Sequence, residues 1–423
     1  MSKPDPIELC HQALRANDAA LLRRVLAENP ALKKRVNDPV GPFDSPVIIC
    51  VRTREMLDVL LEVGADINAR SNWWAGSFGL LDTAPPELAP YAIERGAVVT
   101  VHAAARLGMM DKLREMITRE TALVHARGGD GQTPLHFAKN REVAEYLLEH
   151  GANIDARDVD HESTPAQYMI QDRQDLVRYL IQRGCGTDIF MAAALGDLSL
   201  ARKHLDSDPD CVTWRINEQF FPKSNPKAGG TIYNWTLGWH LSPHEVAKKF
   251  GHDEIYQLLI ERSPSTVRLI NACWLGDQEM VESVLQAAPE IAGGLSKADQ
   301  QQIAHAARND NLPAVRLLLK AGFPVEARGQ HGATPIYWAA WHGNVEMVQE
   351  ILRYKPRLET DGLDFPGTVL GWAIHGSENG WHRERGDYPK TVEELIRAGA
   401  KLPEKIGGTP EVQKVLNRNP STT

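Results

Sequence analysis

The sequence predicts an all-α solenoid, a stack of about twelve helix–turn–helix units running from end to end of the chain. Three observations predict it. An apolar phrase with helical i, i+3, i+4 spacing recurs along all 423 residues. Many of these phrases end in glycine, the residue that best takes the left-handed turn after a helix. Several preceding segments start with Thr-Pro or Ser-Pro, an N-cap hydroxyl followed by a proline suited to the first helical position.

The elements follow in order. Residues 6–40 read as an N-terminal capping unit, with Leu9, Leu22 and Leu26 inward and Arg23 and Glu28 outward. The recurring phrase begins there as LLRRVL at 21–26, then LDVLL at 57–61, the weaker LAPYAI at 88–93, LREMI at 113–117 and VAEYLL at 143–148. It continues as LVRYLI at 176–181, LARKHL at 200–205, IYQLLI at 255–260, VESVL at 281–285, VRLLL at 315–319, VQEIL at 348–352 and VEELI at 392–396. The expected stop signals are Gly64, Gly96, Gly151, Gly184, Gly322 and Gly399. The start signals are Ser45-Pro46, Thr133-Pro134, Thr164-Pro165, Ser242-Pro243 and Thr334-Pro335. Gly196-Asp197, Gly276-Asp277 and Gly343-Asn344 mark turns inside a helix pair. Residues 408–423 read as a C-terminal cap and tail.

These residues resemble the ankyrin-repeat family, in an irregular, bacterial-type form. The strongest copies are Gly131-Gln-Thr-Pro-Leu-His136 with Glu-Tyr-Leu-Leu-Glu-His-Gly-Ala at 145–152, and Gly332-Ala-Thr-Pro-Ile-Tyr337 with Ala339, Ala340 and Gly343. The resemblance covers nearly the whole chain. It implies two antiparallel helices and a β-hairpin finger per repeat, with fingers and first helices lining a concave binding face. It also assigns His136 and His102 a structural role, as imidazoles bonded inside the repeat.

Spacing departs from the family's regular period of about 33 residues. The intervals 93–117, 181–205 and 260–285 are short by roughly a finger's length, so those units are expected to lack one. The interval 205–260 is long, which places an insertion at 214–241 with Trp214, Phe220, Phe221, Tyr233, Trp235, Trp239 and His240. The interval 352–396 is also long and places a second at 377–390 with Glu378, Trp381, His382, Arg383, Glu384 and Asp387. Insertions in a solenoid often project on its binding face.

The chain has 10 tryptophans, which regular repeats do not need. On the family's template Trp73 and Trp74 fall at a finger tip. Trp274, Trp341, His342 and His375 fall near the ends of first helices, facing the groove. Trp338 and Trp372 fall at semi-buried positions that can fill repeat interfaces. The candidate ligand-binding set is therefore Trp73, Trp74, Trp235, Trp239, His240, Trp274, Trp341, His342, His375, Trp381 and His382. The C-terminal two thirds is expected to carry an aromatic pocket, lined by histidine and acid and roofed by both insertions.

Two functions fit. One is recognition of a protein partner on the concave face. The other is an enzyme acting on a small ring-bearing molecule, a carbohydrate for example, with His342, His375, Asp364 or Glu378 as acid–base groups. No P-loop, dinucleotide fingerprint, nucleophile elbow or zincin motif is present, so no cofactor is expected. His375 and Glu378 have a spacing known among metal ligands, but no metal site is expected from it. The net charge of −8 leaves no basic stripe for nucleic acid. Cys10, Cys50, Cys185, Cys211 and Cys273 are odd in number and form no CxxC pair, which points to a reducing cytoplasm. The N-terminus reads without a signal peptide, and no apolar run suits a membrane span.

Overall fold

The computed structural model describes residues 5–381, 383–403 and 405–418. Among them every regular element is a helix, and β structure is limited to one isolated bridge, Gly41–Ser45. No helix among the described residues is long and apolar enough to cross a membrane.

The helices form where the local signals place them. Thr164 and Ser242 cap Pro165–Met169 and Pro243–Lys249 with reciprocal bonds: each hydroxyl accepts from the N3 amide, and Gln167 or Glu245 accepts from the cap amide. The Gly-Asp and Gly-Asn turns divide their work between two residues. Gly196, Gly276 and Gly343 adopt φ of 68°, 73° and 64° and end one helix. Asp197, Asp277 and Asn344 then cap the next by accepting from Leu200, Met280 and Met347 amides. His136 accepts from the Thr133 amide at Nδ1 (3.1 Å), so its Nε2–H donates to the Ser163 carbonyl (3.1 Å). His102 bonds the Ala126 carbonyl through Nε2 in the same way.

Where fingers are expected the chain runs in tight turns, and no strand forms among the described residues. The turns contact one another through their tips. Asp44, Asp130 and His331 have φ of 49°, 53° and 60°. Their carbonyls accept from the next turn, from Asn72 N, Val159 N and Asp364 N respectively. One or two bonds per neighbour tie turn to turn without building a ladder.

The contacts separate into two compact units. The first comprises the chain up to 191 together with 216–238; the second comprises 192–215 and 239 onward. In the first, a core from Cys10 to Ala103 is built on Leu22, Ile48, Met56, Leu57 and Leu60. Leu22 and Leu26 are buried as expected, whereas Leu9 is only partly so. In the second, a core from Leu269 to Leu416 runs through Tyr337, Trp338 and Trp372. The last helix, Pro410–Arg418, contributes Val412, Val415 and Leu416 to it.

Most of the first insertion is fixed within the first unit. The amides of Ser224 and Asn225 donate to Glu162, Gly229 N donates to Asp160, and Ile232 N donates to Ser163 Oγ. In the second unit, the residues on either side of 216–238 meet at one buried pair. Arg215 Nη1 donates to the His240 carbonyl (3.1 Å) and to Glu245 Oε2 (3.2 Å).

Candidate binding site

The aromatic residues of the second unit converge on two helices. Pro335–His342 carries Trp338 and Trp341, and Val369–Asn379 carries Trp372 and His375. Each pair is three residues apart and so shares a helical face. Trp372 meets Trp338 edge-on at 5.4 Å and Trp341 at 6.3 Å. Trp341 lies 5.7 Å from His375. Trp381 closes one side, stacked on Trp338 at 5.8 Å and edge-on to Trp341 at 5.9 Å.

These rings, with Phe365 and His331 from two finger turns, enclose a cavity of about 340 Å³. Gly367 and Gly371 line it too. Trp381 and Phe365 stay 50% and 59% exposed, so the cavity is edged by apolar surface open to water.

The second insertion depends on close backbone approach. Its first helix runs through Gly376 to Asn379. Gly376 serves packing: a Cβ there would lie 2.4 Å from the Trp341 carbonyl oxygen. Tyr388 then donates its hydroxyl to that carbonyl (2.9 Å), and Gly380 and Gly386 pack against the Tyr388 ring. This turn carries Trp381 back over Trp338 and Trp341.

A cation stands at the edge of the box. The Arg308 guanidinium lies 3.7 Å from the Trp239 ring centre, 4.8 Å from Trp381 and 5.6 Å from Trp338. Its Nε–H donates to Gln330 Oε1. Burial holds it down to about 10, and among the described residues no carboxylate opposes that effect. Trp239 from the first insertion and Trp381 from the second thus meet across one guanidinium.

The other expected residues divide among different places. Trp239 stacks on His240, and His240 on His305 at 3.7 Å. Two corrections concern burial. Trp274 was expected to face a groove but is buried, with Arg215 5.3 Å over its ring. His342 is buried as well and donates Nε2–H to the Arg308 carbonyl (2.8 Å). Both are covered by segments that precede them in the chain, Trp274 by Arg215 and His240, and His342 by the end of the helix that carries Arg308. A third correction concerns the roof. Trp235 belongs to the first unit, where it packs on His161 at 4.7 Å. Trp73 and Trp74 also lie in the first unit, in a cluster with Phe43 and Phe78.

Among the acid–base candidates, His375 is exposed and accepts from Asn379 Nδ2 at Nδ1 (3.2 Å). Asp364 pairs with His331 Nδ1 at 3.2 Å in an exposed position. Glu378 is exposed. His382 lies outside the described residues. Sequence reasoning gave Trp338 and Trp372 only an interface role; they are interface residues and cavity walls at once. Arg308 carried a weak signal, a long cation near the end of a first helix.

A family model for ankyrin repeats (3 copies) matches residues 101–191 and 269–361. The second match ends just before Phe365, Trp372, His375 and Trp381. The chain is 24% identical over 258 residues to the E3 ubiquitin-protein ligase KEG of Arabidopsis thaliana, covering 55% of this chain and 15% of that protein. It is 31% identical over 83 residues to the E3 ubiquitin-protein ligase XB3 of Oryza sativa subsp. japonica, covering 19% of this chain and 18% of that protein. The chain thus spans less than a fifth of either relative's length.

Proposed function

From a chain that carries ankyrin repeats, we propose a recognition protein that anchors a side chain of a protein partner in the aromatic box. The observation that carries this is the 340 Å³ cavity beneath exposed Trp381 and Phe365. It is the size of one or two side chains, and its walls are the rings that dominate binding energy at protein interfaces. Arg308 adds polarity. Its terminal amino groups have no hydrogen-bond partner among the described residues, and they sit beside Trp381 and Trp338. A partner segment with an aromatic or aliphatic anchor next to a carboxylate fits this combination.

The repeats would stack as about twelve units, with fingers and first helices on the binding side. Less supports the catalytic alternative on a ring-bearing small molecule. His342 is buried with its N–H occupied, and the His331–Asp364 pair at the rim is exposed to solvent. Ubiquitin transfer is not proposed, since the chain matches only 15% and 18% of the two ligases.

Selection of a random peptide library on the immobilised full chain tests the reading. The expected result is enrichment of one sequence class with a large apolar anchor beside Asp or Glu. Enriched peptides should lose roughly thirtyfold in affinity for a Trp341→Ala, Trp381→Ala variant. Equal binding to that variant, or no enrichment over it, refutes the proposal.

A further inference from the structure

The finger turns of the first unit bring together three groups that the aromatic box does not use. Asp130, Asp160 and His161 each offer a ligand atom, and these atoms lie within 4.8 Å of one another. The side chains of His161 and Asp160 are only 10% and 8% accessible. Asp130 Oδ1 is sealed from solvent and has no hydrogen-bond partner among the described residues.

The tautomer of His161 is fixed by its surroundings. Nδ1 lies 2.9 Å from the Gly230 carbonyl oxygen, which can only accept. Nδ1 therefore carries a proton, and in the neutral ring Nε2 directs a lone pair inward. That lone pair faces Asp160 Oδ2 at 3.7 Å. In that state two acceptors face each other across the gap, with the Asp130 carboxylate beside them, an arrangement that a bound cation would satisfy. Asp158 adds further negative charge close by, its oxygens taken by Ser163 N, His161 N and the Tyr168 hydroxyl.

We propose that Asp130, Asp160 and His161 bind a divalent transition-metal ion of the Zn²⁺ class. One imidazole nitrogen and two carboxylate oxygens suit zinc, whereas Ca²⁺ and Mg²⁺ favour all-oxygen surroundings. A tetrahedral ion with ligand bonds of about 2.1 Å holds its ligand atoms roughly 3.4 Å apart; the Nε2–Oδ2 gap is already 3.7 Å. The hydrogen bond from Nδ1–H to a carbonyl is the outer contact that orients a metal-bound histidine. Here that carbonyl belongs to the first insertion, and Gly229 N bonds the Asp160 carboxylate (3.0 Å). The ion would therefore fasten the insertion to the 158–163 turn.

The test uses the full chain, stripped with chelator and titrated with ZnCl₂ by calorimetry and thermal shift. The expected result is binding of one zinc per chain and a melting-temperature rise of roughly 5 °C at a hundredfold excess over Kd. Zinc should also slow proteolysis within 223–229. His161→Gln and Asp130→Asn should each weaken binding by roughly tenfold or more. Circular dichroism without metal checks both folds, and Asp130→Asn alone carries the test if His161→Gln unfolds. Absence of zinc binding up to about a millimolar, or equal affinity in a folded variant, overturns the proposal.

Discussion

Replacing Glu245 with alanine should open the clamp that gathers the residues on either side of 216–238. Arg215 and Glu245 are 8% and 5% accessible at their side chains, and among the described residues the Arg215 guanidinium bonds Glu245 and the His240 carbonyl while lying over Trp274. Glu245→Ala leaves a guanidinium buried without its counter-charge, which costs about 3–5 kcal/mol. It also removes the acceptor for the Ser242 amide, worth about 1 kcal/mol as a helix cap. A loss of about 4 kcal/mol should lower the melting temperature of a unit of this size by roughly 10 °C. Thermal and urea unfolding followed by tryptophan fluorescence would measure it. The double variant Arg215→Met, Glu245→Leu should recover most of the loss, because burial already pushes Glu245 up and Arg215 down. A single variant that loses less than about 1 kcal/mol, or a double variant as unstable as the single, would refute the reasoning.

Other consequences concern acid, packing and the C-terminus. Burial lowers His136, His244 and His305 to about 3, so the folded chain binds fewer protons than the unfolded chain below the unfolded value of about 6.5. Their stabilisation is complete above about 6.5 and is lost as pH falls towards 3, at about 2 kcal/mol each by pH 5. Melting temperatures at pH 7 and pH 5 test this, and equal values would sink it. Gly376→Ala should cost about 1–3 kcal/mol and expose Trp381 further, because its Cβ would meet the Trp341 carbonyl; quenching of tryptophan fluorescence reads the change. Deleting 408–423 removes Val412, Val415 and Leu416 from the core and should promote aggregation, which size-exclusion chromatography would show. An unchanged soluble monomer would count against that segment as a cap.

Short-range information was legible in the chain itself. Thr-Pro and Ser-Pro starts, Gly-Asp turns and the apolar spacing depend on residues within about one helical turn of each other, and the helices appear where those signals lie. The role of His136 followed from a motif six residues long. What faces what is set at longer range. Trp235 and Trp239 are four residues apart, yet one packs on His161 in the first unit and the other on Arg308 in the second. Trp274 and Trp341 occupy similar helix ends, yet one is buried and the other lines a cavity.

Spacing reports the face a residue shares, not the repeat or insertion that covers that face. Sequence alone therefore determined an all-helical repeat chain, the starts and stops of its helices and its surplus of tryptophan. Only the tertiary structure could place Trp381 over Trp338 and Trp341, seat Arg308 between rings from both insertions, and bring Asp130 to His161. Each of those contacts joins residues roughly 30 or more positions apart, and packing, not local spacing, decides which of them meet.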